Sequence, residues 1–482
     1  MKVAVVGGTG YVGLVTGIGL AHAGHRVVCA DIDSAAIRRL AAGEAPIREA
    51  GFDRMLSSVM KRRRISFTTD AVQAAADADV VIIAVGTPQS EDGRADLSQI
   101  MSAADRVALG LELASRAERP ARGIPRARAG AERERDGRTE SLSRNRSRER
   151  KAYKVIAVKS TVPVGTCDAL RERIAAAVSA LPVEFDVVSN PEFLREGQAV
   201  RDFLKPDRIV GGASRRRAVE AMRRLYKNLE APLVVTDPRS SEMLKYACNA
   251  YLATRISFIN EIAAISESVG ADVRRVIEGM RLDPRIGPAY LSPGPGFGGP
   301  CLVKDVNSLI SFGRGAGAGT LLLDAVLARN EAQAEVALAA MRGMLGGLRG
   351  KRVAVLGLSF KAGTADTRDS PSLLLMRALS AAGAEAVAWD PILSRSEEAL
   401  SATPFLARGF LDAARGSDCL VVMNDGIDLD RDALSRAAMA MAFPAIYDAR
   451  RRVDPKAAIE TGFAYRALGV SPERIPRKAP TR

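Results

Sequence analysis

The chain of 482 residues contains two histidines, and both lie close together at 22 and 25. That scarcity excludes a histidine base elsewhere in the chain and a His-rich metal centre. The five cysteines, at 29, 167, 248, 301 and 419, include no CxxC and no short pair. A zinc module needs such pairs, and an odd, scattered set does not make a disulfide framework, so no metal site is expected and a reducing cytoplasm is the natural setting. No stretch offers the roughly 18 uncharged apolar residues that a membrane span requires. The apolar start MKVAVV runs into glycines rather than a small-residue cleavage site, so no signal peptide is expected either.

What is present is ordinary in amount and uneven in placement. Hydrophobic residues make up 47% and charged residues 26%, the balance of a globular chain with material for real cores. At roughly 100–200 residues per domain the length suggests about two to four domains. Half of the net charge of +14 lies between residues 116 and 151, where thirteen Lys or Arg face six Asp or Glu. That segment is poor in apolar residues and has no period, so it is expected to be a disordered insert. A second reading makes it a patch for nucleic acid or another anionic surface. Against this, it has no aromatic residue for stacking and its acids are interspersed, so nucleic acid is not the expected partner.

Along the chain, KVAVV, RVVCADID, DVVIIAVGTP (79–88), KVIAVKSTVPVG (154–165) and FDVVSNPEF (185–193) read as parallel strands ending in polar tips. From Ser240 to about Met280 the period becomes helical, with no breaker before Gly270. A loop dense in Gly and Pro (292–305) follows, then another helical stretch to about Gly346. KRVAVLGLSF, AEAVAWDP, SDCLVVMND and PAIYDARR then begin a second set of strands. Its first turn, GLSFKAG, lacks the full glycine pattern of the first.

Gly8, Gly10 and Gly13 form GxGxxG between a strand and a helix, and Asp31 closes the following strand. Such glycines permit a tight turn and the approach of a pyrophosphate to a helix N-terminus, while the acid suits a ribose diol. NAD is therefore the expected cofactor, with Tyr11 and Val12 inside the turn. Asp33, two residues further on, is the alternative acid.

GTP (86–88), STVPVGT (160–166), NPEFLREG (190–197), KYACN (245–249), RIGPAYL (285–291) and GFGGPCLVKD (296–305) mean little singly. In this order they resemble the UDP-glucose/GDP-mannose dehydrogenase family, which oxidises the C6 alcohol of a nucleotide sugar to a carboxylate. The resemblance covers the chain to about Arg466, apart from the insert. It implies that Cys301 is the nucleophile, that Lys245 and Asn249 stabilise an oxyanion, that Asp305 and Thr161 order water, and that Glu192 is a base. It places Thr87, Thr161, Glu196, Lys304 and Arg368 near NAD. It assigns the sugar nucleotide to Glu192, Phe193, Leu194, Lys245, Asn249, Arg285, Phe297, Gly298, Gly299, Phe360, Lys361 and Arg450. The position matching Arg285 serves a neighbouring subunit's site, which implies a homodimer.

The fold expected is α/β, with two doubly wound Rossmann-like domains joined by a long central helix and the Arg-rich insert in the first. The expected boundaries are 1–212 for the NAD domain, with the insert at about 114–152, 213–345 for a central helical, dimerising domain, and 346–482 for the nucleotide-sugar domain. UDP-glucose is the expected substrate; GDP-mannose or another UDP-sugar stays open. Three departures bear on that choice: PIREAG (46–51) where the family has PIYEPG, MND at 423–425 in place of an acidic-aromatic end, and DARR (448–451) where it has DGRN.

Overall fold

Successive side chains of a strand point to opposite faces, and the last four residues of KVAVV are all buried, so this strand needs cover on both sides. The computed structural model, which describes residues 1–47, 49–90, 93–117 and 153–471, provides that cover with helices. Val3 and Val5 of β1 (Lys2–Val6) join Leu14 and Ile18 of the helix Tyr11–His22 in one core. Ala4 and Val6 join Ile100, Val107 and Leu111 of the helix Ser98–Ala117 in another. Each buried Val, Leu or Ile among these contributes about 1.5–3 kcal/mol.

β2 (Arg26–Ala30), β3 (Ile65–Thr68), β4 (Val80–Ile83), β5 (Tyr153–Val158), β6 (Glu184–Ser189), β7 (Ile209–Gly212) and β8 (Leu233–Thr236) complete an eight-stranded sheet in the order β3-β2-β1-β4-β5-β6-β7-β8. Pairing is parallel except between β6 and β7. The order reverses between β1 and β4, which opens a crevice at their carboxyl ends, the place where such sheets take ligands. The glycine turn follows β1, and Gly86–Thr87 follows β4.

The chain divides into two compact units, Met1–Thr87 with Asp96–Met243, and Pro88–Ala95 with the residues from Leu244 onward. The first sheet thus carries on past residue 212 through β8, an edge strand whose two central residues are exposed. Residues 114–117 belong to the helix Ser98–Ala117 rather than to the insert, and Glu112 and Arg116 form an i,i+4 pair in its last turns. The rest of the Arg-rich segment, 118–152, lies outside the described residues. Among the described residues no helix is long and apolar enough to cross a membrane.

His25 is explained as part of this core. It is buried, its Nε2 lies 2.8 Å from the Leu225 carbonyl, and its Nδ1 lies 3.4 Å from the Met1 amine. Burial, followed by the positive charges of that amine and Lys227, holds its pKa below the ordinary 6.5 despite the Leu225 bond. The unfolded chain then binds the proton first, so stability is intact above about pH 6.5 and falls as pH drops below it. Thermal melts at pH 7.5 and 5.5 are expected to show a loss on acidification that is smaller in His25→Gln.

In the second unit, β9 (Arg352–Leu356), β10 (Glu385–Trp389), β11 (Cys419–Val422), β12 (Ala445–Asp448) and β13 (Ala464–Ala467) form a parallel sheet in the order β10-β9-β11-β12-β13. Val353 and Val355 face one core, Ala354 and Leu356 the other. The long helix Pro238–Ser268 matches the helical period that begins near Ser240. The helical stretch before Gly346 is three helices, Leu302–Gly315, Leu321–Glu331 and Gln333–Leu345, with a break at Ala332 and an end at Gly346 in the left-handed region.

The two sheets treat the same topological position differently. Asp31, after β2, accepts from the Thr9 N–H (3.0 Å), the Thr9 hydroxyl (2.7 Å) and, weakly, the Asp33 N–H (3.2 Å), and remains half-buried. Asp390, after β10, is 1% exposed and accepts from the N–H groups of Leu358, Ser359, Ile392 and Leu393 and from the Ser359 hydroxyl. A carboxylate offers about four lone-pair sites. Asp390 is consumed by its own turn, whereas Asp31 takes fewer donors and stays within reach of solvent.

Candidate active site

Cys301 sits at the N-cap of the helix Leu302–Gly315 and is exposed. The loop before it approaches other backbone so closely that only glycine fits. A Cβ on Gly298 would lie 2.1 Å from the Asp369 carbonyl, and one on Gly299, at φ +83°, would meet the Phe360 ring at 2.6 Å. The Gly299 N–H donates to the Arg368 carbonyl at 3.1 Å. Phe297 to Gly299, Phe360 and Arg368 are thereby assembled on one side of Cys301.

On the other side, Asp305 is one turn along the helix and 2% exposed. Its two oxygens accept from Asn249 Nδ2 and from Lys304 Nζ, each at 2.6 Å. A buried carboxylate is tolerated only when paired and hydrogen-bonded in this way. Lys245 lies one turn before Asn249 on the long helix and is buried with it.

The remaining cysteines are placed for packing. Burial pushes the Cys29 and Cys419 thiols up to about 12 and Cys167 well above its ordinary value. Cys248 is half-buried on the long helix.

In the first unit, the crevice between β1 and β4 holds the glycine turn. A Cβ on Gly13 would lie 2.0 Å from the Gly7 carbonyl and one on Gly8 2.7 Å from Cys29 Cβ, so packing explains both. At Gly10 a Cβ would meet nothing nearer than the Gly7 carbonyl at 3.5 Å, and its φ of −66° suits any residue. Neither packing nor φ requires glycine there, and its lack of a side chain leaves the helix N-terminus open. Asp33 is used as the N-cap of the next helix, accepting from the Ala35 and Ala36 N–H groups. Thr87 donates to the Thr161 carbonyl at 2.9 Å, and Glu192 accepts from the Leu194 N–H. The Arg208 guanidinium stacks 4.0 Å from the Phe193 ring centroid. A groove of about 540 Å³ between the helix Thr166–Ala177 and β6, lined by Cys167, Asp168, Arg171, Glu184, Asp186 and Arg215, contains none of the expected site residues.

Family models for the UDP-glucose/GDP-mannose dehydrogenase family match the chain in three parts. They are the NAD binding domain over residues 1–115 and 138–230, the central domain over 239–332, and the UDP binding domain over 354–455. The chain belongs to the UDP-glucose/GDP-mannose dehydrogenase family. It is an NAD-dependent oxidoreductase of that family. It is 37% identical to a UDP-glucose 6-dehydrogenase of Bacillus subtilis, over 97% of this chain and 98% of that one. It is 38% identical to the UDP-glucose 6-dehydrogenase of Rhizobium meliloti, over 97% and 99%. The structure of a UDP-glucose dehydrogenase from Pyrobaculum islandicum superimposes with a TM-score of 0.81 at 34% identity, covering 98% of each chain.

Within this dehydrogenase the three segments that carry the departures have distinct fates. In PIREAG, Glu49 accepts from the Tyr11 hydroxyl and from the Val200 N–H (3.0 Å), while the Gly197 N–H donates to Tyr11 Oη at 2.9 Å. Burial and the Glu49 bond push the Tyr11 phenol well above its ordinary pKa. Glu49 therefore ties the glycine turn to the loop carrying Glu192 and Glu196, a role invisible in its spacing. In MND, Asn424 is buried and donates to the Ser359 carbonyl and hydroxyl, each at 3.0 Å. In DARR, Arg450 Nε donates to the Met423 carbonyl at 3.2 Å, and a Cβ on Gly294 would lie 2.7 Å from its Nη1. Arg285 stands apart: its side chain is 88% exposed and pairs with Asp283. Lys361 lies over the Phe360 ring, and the Arg368 guanidinium pairs with Asp366.

Proposed function

We propose that this enzyme oxidises C6 of UDP-glucose to the carboxylate of UDP-glucuronate, with Cys301 as the covalent anchor. The observation that carries this reading is the setting of Cys301, exposed at a helix N-terminus one turn from the buried Asp305 that Asn249 and Lys304 hold. A helix N-terminus favours the thiolate, the form that attacks carbonyl carbon. The UDP binding domain match and the relatives named as UDP-glucose 6-dehydrogenases support the substrate.

Gly8, Gly10, Tyr11, Val12, Gly13, Asp31, Thr87, Thr161, Glu196, Lys304 and Arg368 would hold NAD, which when bound accepts a hydride from C6 in each of two oxidations. The chain's own residues do the rest. The family resemblance assigns Glu192, Phe193 and Leu194 of the first unit, and Phe297, Gly298, Gly299 and Phe360 of the second, to the sugar nucleotide, and Lys361, Arg450 and a partner copy's residue at the Arg285 position match its diphosphate charge. The Cys301 thiolate adds to the C6 aldehyde, and Lys245 and Asn249 stabilise the oxyanion so formed. Oxidation of that thiohemiacetal leaves a thioester. Thr161 and Asp305 order the water that attacks it, Glu192 takes the water's proton, and the thiolate leaves as the carboxylate forms.

A panel of nucleotide sugars with NAD tests the substrate. UDP-glucose is expected to give the highest kcat/KM; a higher value for GDP-mannose or for another UDP-sugar would replace it.

The enzyme is proposed to work as a homodimer in the cytoplasm. Tyr251, Phe258 and Ile265 recur every seven residues on the long helix and are each about half exposed, an apolar stripe that a second copy would cover. Light scattering is expected to give twice the chain mass, and the mass of one chain for Phe258→Arg.

A further inference from the structure

Three side-chain amides meet the loop that leads to Cys301. Asn260, on the long helix, is fully buried and accepts the Gly294 N–H on Oδ1 at 2.8 Å. Gln333, in the first turn of the helix Gln333–Leu345, donates from Nε2 to the Gly294 carbonyl at 2.6 Å. Asn330, near the end of the helix Leu321–Glu331, takes the Phe297 N–H on Oδ1 at 2.7 Å and returns Nδ2 to the Phe297 carbonyl at 3.0 Å. The break at Ala332 aims Asn330 and Gln333 at the same loop from two helices. Each amide thus pairs with loop backbone as a neighbouring strand would, although the loop has no strand beside it.

The arrangement is specific to this loop. Gly294 leaves space for Arg450, and at Gly296, where φ is +109°, a Cβ would lie 2.8 Å from Asn330 Oδ1. Asn260 Nδ2 and Gln333 Oε1 are buried and have no hydrogen-bond partner among the described residues. Apolar residues of similar size would pack there without that desolvation cost, so the amides are present for Gly294. Asn260 also shares its helix with Lys245 and Asn249, so its bond references the loop to the helix that carries the oxyanion groups.

We propose that Asn260, Asn330 and Gln333 are positioning residues that hold Cys301 where its sulfur meets the C6 aldehyde. This rests on the reading of Cys301 as nucleophile. Without them the first oxidation persists, but the aldehyde escapes before the sulfur captures it.

The test compares wild type, Asn330→Asp and Gln333→Glu, each substitution keeping an acceptor and removing the donor. NADH formed per UDP-glucose and the pH profile of Cys301 alkylation by iodoacetamide are both read on gel-filtered, folded enzyme. The expected results are turnover lower by about tenfold to a hundredfold, fewer than two NADH per sugar with aldehyde trapped, and an alkylation midpoint moved upward. Wild-type stoichiometry and alkylation in the folded fraction, even with a lower melting temperature, would overturn the proposal by reducing the amides to a structural role. Should Asn330→Asp not fold, Gln333→Glu decides by the same two readouts. Cys301→Ser separates the two readings: if it still forms two NADH per sugar, the nucleophile reading fails, whereas if it does not and the amide variants match wild type, only the positioning fails.

Discussion

Cys301→Ser is expected to lower the conversion of UDP-glucose to UDP-glucuronate by roughly a thousandfold or more, the scale at which removing a covalent nucleophile is felt. Three of the other four cysteines are poorly placed to take over. Cys29, Cys167 and Cys419 are buried in apolar surroundings that disfavour their thiolates. Serine keeps the size of the side chain, but its hydroxyl is a far weaker nucleophile than a cysteine sulfur. Steady-state NADH production measures the loss. Cys248→Ser, in the same assay, is expected to match wild type; a comparable loss in that variant would show that cysteine removal disturbs the fold and not the chemistry.

Lys245→Met is expected to reduce kcat by about a hundredfold to a thousandfold, as when one oxyanion donor is removed. The lysine is 6% exposed, and a cation withdrawn from water is held there only if compensating groups face it. Its neighbour Asn249 is committed to Asp305, which also takes Lys304, so Lys304 is engaged within this cluster. Kinetics alongside fluorescence titration with NAD check the claim: kcat falls while NAD affinity holds. A fall of less than about tenfold would remove Lys245 from the oxyanion.

The centre of each sheet was legible because it is buried on both faces. KVAVV, DVVIIAV, KRVAVL and CLVV read as apolar runs, and all became strands. β3, β8 and β13 did not, since each lies at a sheet edge with half-exposed or exposed residues, which blurs the pattern. β7, with IVGG, has two glycines and no alternation. Residues with a motif could be singled out: in the second unit Asn249 and Asp305 are hydrogen-bonded, with Lys245 and Cys301 each one turn away on the same helices, and in the first unit Asp31 accepts from Thr9 inside the glycine turn. Residues that act through a loop were not. Asn260, Asn330 and Gln333 look like polar positions in helices, and only the path of residues 292–300 shows what they hold. Glu49 was missed for the same reason, because its partners Tyr11 and Val200 are far away in the sequence.

The charge of +14 is the feature that composition makes most conspicuous, and it bears least on the site. Half of it belongs to 116–151, almost all of which lies outside the described residues. The proposed chemistry instead centres on Cys301, where the charges near it are few: Asp305, which pairs with Lys304, and the buried Lys245.

The most direct test of the account is the number of NADH molecules formed per UDP-glucose consumed by the purified enzyme in limiting sugar. A value of two, with UDP-glucuronate as the product, is what a cysteine-held, four-electron oxidation predicts. A value of one, with the C6 aldehyde accumulating, would contradict it.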